Sequence, residues 1–407
     1  LDKTVKNLLL KIKVRCGMKV FLKIVPNEFK NESRNKRELL VVNTFEMNTV
    51  IMAKGDNNIN FIDGYRVHRR TTRPLGNHKC LIKLNRIISV FTWASHARRI
   101  KPYCISCHDL IALFIGWLST CFIPKRKKPL LVYDSHEFEI GRNTGTKRNK
   151  LTKFTISRLE KFLIKKCAFS IMVNDSIADE VQRIHKLKEK PIIVRNIPAY
   201  WDVDEEICKK RKEEFCEKLG LPMDTFLVMY HGGVMPGRGI ENLLKAIQRN
   251  INVATVILGN GEKEYIEKLK HMVEELQISE RVLFHCAVNI DILWQYVGAA
   301  DIGMVTIPAV SKSYYYMLPN KFFENIQSLT PIIGSDFPEI RRIIKGYNIG
   351  LCVNPERIDE IANAIEEMRK NREMYSWFKR NLKYAKDELC WENERNVLEE
   401  AYGKILR

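Results

Sequence analysis

Short apolar runs alternate along this chain with longer segments in which apolar residues recur every three or four positions. The runs Val20–Val25, Thr49–Ala53, Cys104–Ser106, Leu130–Tyr133, Ile171–Val173 and Ile192–Val194 predict strands. Between them, Asn31–Leu40 predicts a helix. So does Leu151–Lys166, in which Leu151, Phe154, Leu159, Phe162 and Leu163 share one face opposite Lys and Arg. The second half repeats the scheme with strands at Leu227–Tyr230, Ala254–Leu258, Val282–Phe284, Ile302–Val305, Pro331–Gly334 and Ile349–Val353. Helices at Glu241–Arg249 and Lys263–Leu276 lie between them. Strand–helix alternation of this kind implies parallel sheets covered by helices, and 407 residues suffice for two full cores. Arg195-Asn196-Ile197-Pro198 falls between the two sets and reads as a hinge, and Trp391–Leu406 closes the chain as an amphipathic helix. The expected domains are therefore 18–197 and 198–390, with 391–407 as the closing helix and 1–17 as an extension ahead of Met18.

Composition adds a charge asymmetry. The net charge is +20, yet residues 1–197 carry 40 Lys and Arg against 16 Asp and Glu, and the remainder 28 against 32. Basic clusters recur at Arg66–Arg73, Arg98–Lys101, Lys125–Lys128 and Lys147–Lys166. Each such charge near an anionic leaflet contributes roughly 1 kcal/mol. An anionic membrane surface or lipid acceptor is the first reading of the basic half, ahead of a merely solvated surface. Nucleic acid is the rival, but no nucleic-acid motif accompanies the charge. The apolar run Leu110–Ile123 falls short of the roughly 20 residues a bilayer span needs and predicts a buried helix. Eleven cysteines without regular spacing and no secretory signal point to free thiols in the cytosol.

The candidate chemistry lies at strand ends. Leu318-Pro319-Asn320 is a turn that opens a helix, because proline tolerates the first turn, where its missing N–H is unneeded. Free N–H groups and a partial positive charge at a helix start hold a phosphate. Glu324, one turn further, is placed to accept hydrogen bonds from a sugar diol. His231–Gly239 is a glycine-rich loop after a strand. Gly232 and Gly233 let the backbone approach a ligand, and the guanidinium of Arg238 suits a diphosphate. Gly259 and Asn260 form a second turn after a strand, and Val288 a third position from which the backbone can face a base. In the basic half, His136 follows the strand Leu130–Tyr133 and is flanked by carboxylates, and His108-Asp109 follows another strand end. Cys104-Ile105-Ser106-Cys107-His108 fits a haem-attachment pattern, but it sits in a strand pattern and reads as core cysteines. No Cys/His cluster has zinc spacing, so no metal is implied.

Tyr315–Glu324 together with Pro331–Ile340 resembles the donor-binding signature of the retaining glycosyltransferases of family four. The resemblance runs from about Met18 to the C-terminus and is strongest over 226–345. It implies the GT-B fold: two Rossmann-like α/β domains with a cleft between them and a C-terminal helix crossing back to the first. The family's motif has two glutamates with seven residues between them. Glu324 matches the second, which implies a ribose contact. Tyr316 stands at the first, the family's sugar contact, which leaves the donor sugar open. Met317, Leu318, Pro319, Asn320 and Lys321 would complete the donor wall. Arg238 matches one of the two cations usual in the glycine loop. Gly233 occupies the other position, and Lys321 is the candidate to compensate. Gly259-Asn260 resembles the segment lining the pyrophosphate cleft. Asp134-Ser135-His136-Glu137 resembles a family variant whose histidine reaches the transferred sugar. His108-Asp109 resembles an acceptor-side pair. Implied are a nucleotide-diphosphate sugar donor (a UDP-sugar favoured) and a lipid-linked or surface-glycan acceptor, as in capsule or lipopolysaccharide assembly. Retention, metal independence and a peripheral position at the inner face of a membrane are implied as well. The rivals are a nucleotide-sugar epimerase or hydrolase, and an inactive nucleotide-binding protein lacking the charges replaced at Gly233 and Tyr316.

Overall fold

The computed structural model describes residues 18–29, 33–71, 79–141 and 150–407. The extension 1–17, the start of the Asn31–Leu40 segment, Arg73 and Lys147 lie outside the described residues.

The first domain is an eight-stranded sheet: β1 (Val20–Val25), β2 (Asn48–Lys54), β3 (Ile59–Ile62), β4 (Tyr65–Arg70), β5 (Cys104–His108), β6 (Leu130–Ser135), β7 (Phe169–Met172) and β8 (Ile192–Ile193), in the order β3-β4-β2-β1-β5-β6-β7-β8. Only β3 runs antiparallel, as a hairpin with β4. Its helices are α1 (Ser33–Asn43), α2 (Lys79–Ile100), α3 (Asp109–Thr120), α4 (Lys150–Ile164) and α5 (Asp175–His185). The second domain is a six-stranded, wholly parallel sheet: β9 (Phe226–His231), β10 (Val253–Leu258), β11 (Val282–His285), β12 (Ile302–Val305), β13 (Ile332–Ser335) and β14 (Gly350–Val353), in the order β11-β10-β9-β12-β13-β14. Around it lie α6 (Glu205–Leu219), α7 (Ile240–Arg249), α8 (Lys263–Glu275), α9 (Leu293–Val297), α10 (Lys312–Tyr315), α11 (Asn320–Gln327), α12 (Pro338–Tyr347), α13 (Ile358–Lys370) and α14 (Arg372–Glu388). Strands β9 and β10 are buried along their whole length, as strands covered on both faces must be.

The last helix, α15 (Trp391–Leu406), returns to the first domain. Trp391 N donates to Pro198 O at 2.9 Å, and Glu394 accepts from Arg195 N at 2.7 Å, which pins the helix start to the hinge. Tyr402 then packs edge-on against Phe21 and Phe169, with ring centroids 5.6 and 5.2 Å away. This core lies on one face of the first sheet with α1. Helices α2 to α5 cover the other face.

Two expectations need correction. The hairpin β3–β4 and the 22-residue α2 were not anticipated from the apolar pattern. In α4, Leu163 is buried, but Leu151 and Phe154 are exposed, because the first turns of that helix lie off the core, and Phe162 in the last turn stays exposed while meeting Trp117 edge-on at 5.3 Å. The turn Leu318–Asn320 opens α11 as expected, with Pro319 as the residue before the helix, in extended backbone, and its carbonyl accepting from Phe322 N. The Cys104–Cys107 motif is strand β5. Both thiols are free and buried, and burial pushes their pKa values well up, so neither is a reactive site. Among the described residues no helix is long and apolar enough to cross a membrane.

Candidate active site

Three strand ends of the second domain are stitched together. Gly232 N donates to Leu258 O, Val234 N to Asn260 O and Gly259 N to His285 O, each at 2.9 Å. A Cβ on Gly259 would sit 1.8 Å from Gly232 O, so only glycine lets the first two loops touch. The side chain of Asn260 accepts from Ala287 N at 3.0 Å, tying in the third loop, whose Val288 packs on the domain core. The start of α11 faces these loops.

Lys321, its second residue, is buried against Gly232: a Cβ there would lie 3.4 Å from Lys321 Cε. Its Nζ has no hydrogen-bond partner among the described residues and stands 3.6 Å from the centroid of the Tyr230 ring. Burial, and then the charge of Arg238, push this ammonium down to about 7, with Glu324 opposing. Arg238 is half-buried, 5.7 Å from the centroid of Tyr314. Glu324 Oε2 lies 3.0 Å from His231 Nε2, and Asn320 accepts from Asn196 of the hinge at 2.8 Å. Glu324 and Asn320 open onto a cavity of about 550 Å³, bounded also by Arg37, Tyr200 and Trp294. Two cations, a helix start and a carboxylate thus converge at the carboxyl ends of parallel strands, where such sheets bind ligands.

On the first domain, β5 and β6 deliver His108 and His136. Their Nε2 atoms are in close contact, the rings at right angles with centroids 3.8 Å apart. His108 Nδ1 lies 3.7 Å from Asp134 Oδ2, beyond hydrogen-bond reach. Burial would raise the Asp134 pKa, but Arg34 and Lys23 outweigh it and hold the carboxyl well below its usual range. Arg34 donates to Asp134 Oδ1 through Nε at 3.1 Å and Nη2 at 2.6 Å, and to Val194 O at 2.8 Å. Lys23 pairs with Glu38 and lies 3.5 Å from Asp134; Ser106 and Tyr402 also donate to Glu38. Burial, then His108, keeps the His136 pKa well below 6.5, so His136 is neutral at neutral pH. Asp109 opens α3 with φ of 68°, unusual for a non-glycine residue, and no side-chain bond caps that helix. Potential ligand atoms of His108, Asp109 and His136 lie within 4.8 Å of one another, so the trio has the composition of a cation site, which sequence spacing did not show.

Tyr316 faces the other domain. Its ring meets Phe138 edge-on at 6.1 Å, and its carbonyl accepts from Asn174 at 2.5 Å. With Lys312–Glu180 at 2.5 Å and Arg342–Asp175 at 3.1 Å, this holds the Tyr316–Leu318 segment against the first domain. The structure therefore gathers Gly232, Gly233, Arg238, Gly259, Asn260, Asn320, Lys321 and Glu324 on one wall and pairs His108 with His136 on the other. No hydrogen bond among the described residues joins the two groups. Sequence reasoning missed Lys23 and Glu38. A lysine inside the apolar run Val20–Val25 was the available signal.

Comparison with known proteins fits this geometry. Residues 211–384 match the family model of the glycosyl transferases group 1. The chain is 25% identical over 297 residues to an uncharacterized glycosyltransferase of Methanocaldococcus jannaschii, covering 71% of this chain and 72% of that one. Sucrose-phosphate synthase of Thermosynechococcus elongatus superposes with a TM-score of 0.74 at 16% identity, over 95% of this chain and 99% of that one. Anabaena HepE in complex with UDP superposes at 0.68 and 15% identity, over 95% and 99%. Residues 211–384 are thus a glycosyl transferases group 1 domain, the two sheets and returning helix are a GT-B fold, and the chain is an enzyme of the glycosyltransferase class.

Proposed function

We propose that this enzyme moves a sugar from a nucleotide-diphosphate sugar to a lipid-linked or surface-glycan acceptor, with retention at the anomeric carbon and without a metal. The observation that carries the reading is Lys321, a buried cation with no acceptor, set beside Arg238 at the start of α11. A leaving diphosphate supplies the missing partner. The anomeric bond to the diphosphate breaks, the acceptor oxygen bonds to the same carbon from the same face, and the acceptor proton passes to the released phosphate oxygen. Arg238, Lys321 and the N–H groups of α11 stabilise the charge that grows on the diphosphate. Glu324 accepts from the ribose diol. His136, neutral and just beyond the carboxyl end of β6, offers a nitrogen to the transferred sugar. In this reading the first domain receives the acceptor and the second the donor.

A UDP-sugar is the favoured donor, in line with the UDP and UDP-glucose complexes of the Anabaena protein. Calorimetric titration with UDP, GDP, ADP and CMP tests the site, repeated on Glu324→Ala. Selective binding of one diphosphate, lost in the variant, supports the reading. Binding without transfer to any acceptor would leave an inactive nucleotide-binding protein, and donor consumption without an acceptor would leave an epimerase or hydrolase.

A further inference from the structure

Helix α2 is the largest feature of the first domain that the reaction does not use. It lies between the parallel strands β4 and β5, so it runs against them and begins at the carboxyl edge of the sheet, the edge that carries His108 and His136. Its C-terminal end is level with that of α3, because Arg98 donates to Ser119 O at 2.9 Å and to Cys121 O at 2.8 Å. With 22 residues against 12, α2 overhangs α3 at the other end by about 15 Å, at 1.5 Å per residue. In the overhang no described side chain from Leu81 to Thr92 is buried; burial begins at Trp93. Yet Leu84, Ile87, Ile88 and Phe91 follow the i, i+3, i+4, i+7 spacing of one helix face, and each is between 37% and 57% exposed. At the same edge, the first turns of α4 expose Leu151 and Phe154, with Arg158 stacked on Phe154.

The charge around this face identifies its partner. From residue 64 to residue 97, through β4 and most of α2, the sequence holds seven Lys and Arg and no acidic residue. A second copy of the chain would bring two cationic faces together. A nucleic acid would satisfy the charge but leave the aliphatic and aromatic side chains in water. An anionic lipid surface takes both: apolar side chains enter the headgroup–acyl boundary while Lys and Arg meet phosphates.

We propose that the overhanging half of α2, with the first turns of α4, docks the enzyme on an anionic bilayer. The bilayer then lies at the mouth of the cleft on the side of His108 and His136. The inference rests on the proposed function only in making that bilayer the source of the acceptor, and the docking itself is measured without sugar transfer.

The test is co-sedimentation of the full chain with vesicles of phosphatidylcholine alone or mixed with phosphatidylglycerol. Ile87→Ser/Phe91→Ser and Arg86→Glu are compared with the wild type, and UDP binding is measured on each. Both sites are exposed, so the fold is retained. The expected result is binding to the anionic vesicles that weakens with salt and falls at least about tenfold in the serine variant, with UDP binding unchanged. Equal binding of variant and wild type would overturn the proposal. So would equal binding to neutral vesicles, or a salt-resistant dimer lost in the serine variant without vesicle binding.

Discussion

Lys321 Nζ stands 3.6 Å from the centroid of the Tyr230 ring, and among the described residues no oxygen accepts from it. A desolvated cation–π contact is worth about 2 kcal/mol, less than the several kcal/mol that burying an ammonium costs. The lysine is therefore held ready for an anion.

Its pKa, lowered by burial to about 7, makes donor binding pH-dependent. Below that value the ammonium is present before the nucleotide arrives; above it a proton must be taken up with the diphosphate. Diphosphate affinity should fall by up to about tenfold per pH unit above neutrality. Calorimetry at pH 8 in buffers of different ionisation enthalpy should register proton uptake, and Lys321→Met should abolish it; no uptake in the wild type would remove Lys321 from the site. The sign for stability is opposite. Between about 7 and 10.5 the unfolded chain holds a proton that the folded lysine lacks, so this group makes the free enzyme more stable as pH rises through that window.

Arg238 is half-buried against the Tyr314 ring and makes no ion pair among the described residues, so Arg238→Ala should leave the thermal midpoint nearly unchanged. Turnover should fall by about 10²-fold or more, the usual cost of deleting a charge-stabilising donor. Wild-type turnover in steady-state assays would rule out its role on the leaving group.

Glu324→Gln keeps the shape of the His231 contact and removes the carboxylate charge. Nucleotide affinity should drop about tenfold, with the unfolding transition in place. A large loss of stability instead would show that the His231–Glu324 pair is structural.

Glu38 accepts from Lys23, Ser106 and Tyr402 inside the first domain. Lys23→Met would leave the buried Glu38 carboxylate without its cation, while Asp134 keeps Arg34, at a cost of about 3–5 kcal/mol. Denaturant titration should show this as a lower midpoint. A change below about 1 kcal/mol would mean that the carboxylate takes up a proton or finds another partner.

His136→Ala should lower turnover while leaving UDP affinity near wild type. A chelator should not alter the wild-type rate. If EDTA abolished transfer and zinc or manganese restored it, the His108, Asp109 and His136 trio would be a working metal centre.

The apolar pattern revealed the strands of the second domain because each is buried on both faces and reads as a continuous run. It failed on α2 for the converse reason: no described side chain in the first half of that helix is buried, so its exposed apolar residues answer to no core among the described residues. The exposed Leu151, Phe154 and Phe162 misled in the same way, since an apolar face implies a partner without naming it. The glycine loops after β9 and β10 and the helix start at Asn320 were readable because both are local features. The Arg34–Asp134 pair joins residues 100 positions apart and has no local signature. Nor could sequence show that Tyr316 would lie against Phe138 of the opposite domain.

The return of α15 has a consequence for how the chain is made. A ribosome completes β1 through β8 before the second domain exists, yet Glu38 must wait for Tyr402, 364 residues later, and Phe21 and Phe169 for the same ring. Throughout synthesis of the second sheet the first carries an open apolar seam where α15 will lie. A fragment ending at residue 197 should therefore bind an apolar dye that the whole chain excludes. During translation that seam is where a holding chaperone would find its grip.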